Sequence, residues 1–221
     1  METQRIVPVL AGLTENSSNE ERKLVAFETL FKIRNVTIAT VDGDKPAART
    51  YDCAQLDDGN IYFTVITGKP SYKQIQKNPY IVMNAWAPGY PMIRIGGPVV
   101  EKMDQDTQDQ YYEINKGTKA MYEKSPDVAK IYTFEKGEGE LFDIAAFNHT
   151  VRLRFGFGGM EPRKMLYCID PEICTSCGDC EKVCVGNSIE KGTPYEINEM
   201  ECLECGSCYN VCPVGAVRIT E

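Results

Sequence analysis

The sequence predicts a mainly β chain of the α+β class: an antiparallel β-barrel with flanking helices, followed by a small cysteine-rich α+β module. Three observations predict it. Short β-rich runs separated by Gly, Pro, Asp and Asn turns recur between residues 36 and 157. Stretches with apolar residues at helical spacing stand before and among those runs. Eight of the ten cysteines crowd between Cys174 and Cys212.

Residues 1–14 read as an irregular arm. Asn16 to Asn19 supply helix-capping side chains, and Leu24, Phe27, Leu30 and Phe31 then give one apolar stripe, predicting a helix to about Ile33. Strands follow at Val36–Val41, Ala47–Ala54 and Ile61–Ile66, joined by turns at Asp42–Pro46 and Asp57–Asn60. Gly68-Lys69-Pro70-Ser71 opens a short helix over Tyr72–Lys77, which Asn78-Pro79 stops. Further strands are predicted at Tyr80–Ala87 and Tyr90–Met103, the second with Gly96-Gly97 as a bulge or close-approach point. Helices are expected at Asp104–Asn115 and Lys119–Ile131, the latter restarted by Ser125-Pro126. Leu141–Phe147 and Val151–Phe157 complete the strands, and many short strands with hairpin turns argue for a closed antiparallel barrel. Gly156–Pro162 has the composition of a linker; no helix start follows it, so it is a poor phosphate loop. The predicted division is a barrel domain over 1–157, a linker over 158–166 and a cysteine module over 167–221.

Charge is unevenly placed. The chain carries a formal −8, and residues 168–221 hold ten Asp/Glu against three Lys/Arg, a net of −7. Such a surface repels nucleic acid and steers toward basic patches on protein partners. No apolar run approaches a membrane span, and the opening METQRIVPVL lacks the pattern of a secretory signal, so no membrane association and a cytoplasmic location are expected. His149 is the single histidine, which excludes any multi-histidine metal site; a strand-end or loop position is expected for it. Cys53, among apolar strand residues, reads as a buried inert thiol, and Cys168 as structural. Trp86 and Tyr90 suit either a core or dimer contact or the wall of a pocket.

The cysteine run is a duplication. Cys-x2-Cys-x2-Cys-x3-Cys occurs twice, and each cysteine of the first copy recurs 28 positions later, pairing 174/202, 177/205, 180/208 and 184/212. This is the spacing that holds two [4Fe–4S] clusters, in which the fourth cysteine of each run ligates the other cluster. One ligand set is therefore Cys174, Cys177, Cys180 and Cys212, and the other Cys202, Cys205, Cys208 and Cys184. Paired zinc tetrads leave the x3 tails, the repeat and Pro213 without a role. A disulfide framework needs an oxidising compartment. Residues 168–221 resemble the bacterial two-cluster ferredoxins, with Val185 where the first run usually has proline.

A second resemblance rests on the order TIATVDGDKPAARTYDC, DDGNIYFTVITGKPSYKQIQKNP and YIVMNAW. Over about residues 24–157 it is similar to the pyridoxamine 5′-phosphate oxidase-like family of FMN-binding split β-barrels. The resemblance implies a homodimer with FMN at the subunit interface. In the family, positions matching Arg49, Thr64, Ser71 and Lys73 meet the flavin phosphate and ribityl chain, and those matching Phe63 and Thr50 make backbone contacts beside the isoalloxazine. Tyr72 stands where some members place an arginine. The residue types agree with that chemistry, because a phosphate needs cations, hydroxyl donors and, where available, a helix N-terminus. No catalytic residue can be named.

Clusters that move one electron at a time, joined to a flavin that exchanges one or two, point to an oxidoreductase. The expected function is transfer of electrons between two [4Fe–4S] clusters and FMN to reduce a small substrate in an anaerobic metabolism. An electron donor or acceptor protein would dock on the acidic module. The alternative is an electron carrier with no small-molecule substrate of its own; a redox sensor ranks last, as no output module is visible. No NAD(P) fingerprint is present.

Overall fold

The computed structural model describes residues 12–145 and 149–220. Two compact units divide the chain: Ser17–Glu140 with Arg154–Pro162, and Leu141–Leu153 with the segment from Arg163 onward.

The first unit begins with helix α1, Asn19–Ile33. Ser18 caps it reciprocally: Glu21 N donates to Ser18 Oγ at 3.2 Å, and Ser18 N donates to Glu21 Oε2 at 2.7 Å. Its inward stripe, Ala26, Phe27 and Leu30, is fully buried. Next come β1 (Asn35–Asp42), β2 (Lys45–Gln55), β3 (Ile61–Ile66), helix α2 (Pro70–Lys77), β4 (Tyr80–Ala85) and β5 (Met92–Glu101). Helices α3 (Gln105–Ile114) and α4 (Lys116–Tyr122) lead through a single 3-10 turn at Pro126–Val128 into β6 (Ala129–Phe134). Strands β7 (Gly137–Ala145) and β8 (His149–Phe157) follow, each shared between the two units, with Leu141–Leu153 counted in the second.

Six antiparallel strands run in the order β4-β1-β2-β3-β6-β5, and β5 pairs back to β4, closing the barrel; β7 and β8 extend the sheet from β5. Alternate residues face inward, as a half-buried strand requires. Val36 and Ile38, Ile61, Phe63 and Val65, Ile81 and Met83, and Ile93 and Ile95 are the inward sets. Phe63 stacks on Tyr132 at 6.1 Å between centroids and meets Tyr51 edge-on at 5.7 Å.

One expectation is overturned here. Residues 129–131 were expected to end a helix; instead Ala129–Phe134 is a barrel strand, paired with β3 from Tyr62↔Thr133 to Ile66↔Ala129 and with β5. Pro126 opens only one 3-10 turn, and Ile131, Tyr132 and Thr133 are side chains that favour a pleated sheet. Gly96-Gly97 carries no bulge in its pairing with β4, since Val82↔Gly96 and Ile81↔Gly97 are consecutive. It is a close-approach point: a Cβ on Gly97 would collide with the Lys136 carbonyl oxygen. The predicted strand end at 146–147 lies outside the described residues.

The second unit holds two two-stranded sheets, β9 (Tyr167–Ile169) with β12 (Val217–Ile219) and β10 (Ile189–Glu190) with β11 (Glu196–Ile197), and short helices α5 (Asp179–Lys182) and α6 (Ser207–Val211). The duplication is structural as well as textual. Val217↔Ile169 in one sheet corresponds to Ile189↔Ile197 in the other, each residue displaced by 28 positions.

Candidate functional site

Two cavities in the second unit divide the eight cysteines between them. One is lined by Cys174, Cys177, Cys180 and Cys212, the other by Cys184, Cys202, Cys205 and Cys208. Among the described residues no three His, Cys, Asp or Glu groups form a single-ion site.

The local backbone explains the arrangement. Ser176 and Glu204 take positive φ, 55° and 54°, bringing their amides back onto Cys174 Sγ at 3.4 Å and Cys202 Sγ at 3.3 Å. Ser188 N and Ala216 N donate to Cys184 Sγ at 3.3 Å and Cys212 Sγ at 3.2 Å. Gly178 and Gly206 cap α5 and α6 at φ 81° and 77°, where a Cβ would stand 3.0 Å from Tyr195 OH and 2.7 Å from Tyr167 OH. Glycine is needed at both for the left-handed turn and for the ring that closes over each cavity. Burial pushes the thiols of Cys180 and Cys202 up and that of Cys208 up to about 11, whereas the Ser207 hydroxyl pulls Cys205 down. A metal bound to these cysteines would displace such protons, because its ligands are thiolates.

One feature of this unit escapes sequence reading. The Glu204 carboxylate is buried, with 8% of the side chain exposed, and accepts from Arg152 Nη1 at 2.9 Å, Arg163 Nη2 at 2.9 Å and Leu166 N at 2.6 Å. Arg152, 9% exposed, also lies 4.4 Å over the Phe142 ring, and its backbone N donates to Met200 O at 2.7 Å. The only sequence hint is Val151-Arg152-Leu153-Arg154, arginines alternating with apolar residues on a strand.

In the first unit the six flavin-candidate positions fall on two faces. Cys53 sits opposite Phe63, so alternation puts Arg49 and Phe63 on the inward face, and Thr50 and Thr64 on the other. Arg49 Nη1 donates to Thr40 Oγ1 at 2.9 Å and Nη2 to Gln74 Oε1 at 3.0 Å, while Thr40 Oγ1 donates to the same Gln74 oxygen at 2.7 Å. Gln74 lies one turn along α2 from Ser71, so Arg49 and Ser71 come together at that end of the barrel. Helical spacing could have flagged Gln74. Ser71 Oγ, on a residue 1% exposed, has no hydrogen-bond partner, and Thr64 Oγ1 has none within hydrogen-bond geometry. The buried, unpartnered Ser71 hydroxyl, in the first turn of α2 and one turn from the Gln74 that holds Arg49, fits a phosphate-bearing ligand; Thr64, on the opposite face, is not part of that cluster. Lys73 and Thr50 are exposed, and Phe63 is wholly buried, leaving its backbone for any ligand contact.

Trp86 is 64% and Tyr90 37% exposed, both beyond the end of β4, so Trp86 is not a core residue. Cys53 is buried, as expected, and burial pushes its thiol up to about 12. Cys168 is half-buried on β9. His149 begins β8, and its side chain lies outside the described residues.

Comparison with known proteins fits this geometry. Residues 166–213 match the 4Fe-4S dicluster domain family. Ferredoxin-1 of Rhodobacter capsulatus is 66% identical over 32 residues, which are 14% of this chain; the chain spans about half, 48%, of the length of that curated relative. The barrel shares its fold with a NimC/NimA family protein from Clostridium acetobutylicum, at a TM-score of 0.54 and 21% identity over 63% of this chain and 97% of the other. A pyridoxamine 5′-phosphate oxidase-related, FMN-binding protein from Nostoc punctiforme aligns with a TM-score of 0.46 and 15% identity, over 69% of this chain and 98% of that one. The comparisons therefore show the fold of the barrel, shared with the NimC/NimA family protein, and a match to the dicluster domain family over residues 166–213. No helix among the described residues is long and apolar enough to cross a membrane.

Proposed function

We propose that this chain is a cytoplasmic oxidoreductase that passes electrons between two [4Fe–4S] clusters and FMN to reduce a small substrate. Its modules are a flavin barrel over residues 1–157 and a cluster module over 167–221, joined by 158–166. The observation that carries the reading is the sorting of eight cysteines into two four-cysteine cavities, each combining three from one run with the fourth from the other. Cys174, Cys177, Cys180 and Cys212 hold one cluster, and Cys184, Cys202, Cys205 and Cys208 the other.

When bound, the clusters supply one-electron transfer and the flavin the coupling of one- to two-electron chemistry. The chain's own residues hold and tune these groups. Four backbone amides reach cysteine sulfurs and favour the thiolate form. Ser71 and Arg49, the latter braced by Gln74, hold the flavin phosphate; Thr64, Thr50, Lys73 and the Phe63 backbone complete the flavin contacts across a homodimer interface. The −7 charge of residues 168–221 draws a basic electron-transfer partner to the cluster module.

Anaerobic purification with FMN supplied, followed by iron, sulfide and flavin analysis, tests the reading. About eight iron atoms per chain, with FMN released on denaturation, is expected. Iron without any flavin would refute the flavin half, and fewer than two clusters the other half. Turnover of small oxidants by the reduced holoprotein separates an enzyme from a pure carrier.

A further inference from the structure

We infer that the two four-cysteine sites are graded in potential, with the site of Cys184, Cys202, Cys205 and Cys208 the more easily reduced. This rests on the ligand assignment above and goes beyond it. The two sites are copies, so everything they share cancels in the comparison: the left-handed residues Ser176 and Glu204, the glycine caps, the covering tyrosines and the amides of Ser188 and Ala216.

What does not cancel is the set of hydroxyls. Cys184 Sγ stands 3.3 Å from Ser188 Oγ, and Cys205 Sγ 3.4 Å from Ser207 Oγ. A metal-bound thiolate has no proton, so in each pair the hydroxyl is the donor. The residue 28 positions from Ser188 is Ala216, which has no hydroxyl; the one 28 positions from Ser207 is Asp179, whose ionised carboxylate has no proton to give. Among the described residues one site therefore receives two side-chain hydrogen bonds on sulfur and the other none, since Ser176 Oγ beside Cys174 is buried without a partner. Reduction adds one electron and hence one negative charge, which donors to sulfur stabilise.

Nearby charges do not reverse this order. Glu204 brings a carboxylate to the favoured site, but Arg152 and Arg163 each meet it at 2.9 Å. Asp179 at the other site is paired with Lys182 at 2.8 Å on the exposed surface, where such a pair is largely screened. An electron delivered to the site of Cys174, Cys177, Cys180 and Cys212 then passes downhill to its twin.

Anaerobic dithionite titration of the holoprotein at controlled potential, followed by electron paramagnetic resonance, tests the grading. Wild type should reduce in two separated one-electron steps. Ser188→Ala with Ser207→Ala should shift the upper step down and leave the lower one in place. The reciprocal graft, Ala216→Ser with Asp179→Ser, should shift the lower step up. A single unsplit wave in wild type with full iron content, or a serine pair that moves the lower step instead, overturns the grading alone. Iron content below two clusters in wild type overturns the ligand assignment as well. The graft deletes no donor from the protein, so the grading stays refutable even if the alanine variant fails to assemble.

Discussion

Replacing Glu204 with alanine should loosen the second ligand loop far more than an exposed glutamate would. The carboxylate is 8% exposed and accepts from the Arg152 guanidinium, also buried at 9%, and from Leu166 N at 2.6 Å. Arg163, 39% exposed, adds little, because a screened surface pair contributes less than about 1 kcal/mol. Truncating one partner of a buried pair leaves the other charge uncompensated and costs about 3–5 kcal/mol. Glu204 follows Cys202 by two residues and its amide donates to that sulfur, so the cost falls on the loop that holds Cys202 and Cys205. At about 1.4 kcal/mol per tenfold, even the lower figure raises the open population of the loop about a hundredfold. Anaerobic challenge with an iron chelator, followed by loss of visible absorbance, should show faster decay by roughly that factor for one cluster and not for the other. Glu204→Gln, which keeps an acceptor but not the charge, should fall between. Iron loss at the wild-type rate in Glu204→Ala would refute the argument that this buried pair anchors the ligand loop.

Three further outcomes follow from single sites. Ser71→Ala removes a buried hydroxyl that has no partner in the protein, so thermal stability should hold or rise while FMN affinity, read by flavin fluorescence, falls about 10- to 100-fold, the worth of one hydrogen bond to a charged group. Gly97→Ala drives a Cβ into the Lys136 carbonyl and should lower barrel stability in denaturant by about 1–3 kcal/mol, whereas Gly43→Ala, with open space at its Cβ but φ +67°, should suffer only from the turn strain. The Cys53 thiol is held up to about 12 by burial, against an ordinary value of 9.0, so the folded state keeps its proton longer than the unfolded one. Its contribution is complete below pH 9 and is lost as pH rises toward about 12; Cys53→Ala should flatten that alkaline decline, and iodoacetamide at neutral pH should leave Cys53 unlabelled until the chain is denatured.

Much of the molecule was legible in the sequence because its signals are local. The capping residues before α1, the apolar stripe behind them and the turns between β1, β2 and β3 are all short-range patterns, and Ile61–Ile66 was bounded to the residue. β6 was not legible. Its six residues are too few for periodicity to decide, and Pro126 just upstream is as good a helix start as a 3-10 one. Its strand state comes from a slot between β3 and β5, whose residues are some 70 and 30 positions distant in sequence. Gln74 was visible in principle, one turn beyond Ser71, yet only its bonds to Arg49 and Thr40 give it a role.

The cysteine duplication shows the division most clearly. Spacing alone predicts which eight thiols sort into two sets, and gives the residue 28 positions from each, because separation along a chain constrains reach directly. That the two sets differ in their hydrogen bonds emerges from the fold. The Ser188 and Ser207 hydroxyls reach sulfur where Ala216 and Asp179 offer no side-chain donor, and Glu204 is buried against arginines 41 and 52 residues away. Hydrogen bonds and ion pairs act over a few ångströms of space whatever the separation in sequence, so the wiring of the two sites was written in the text and their inequality in the fold.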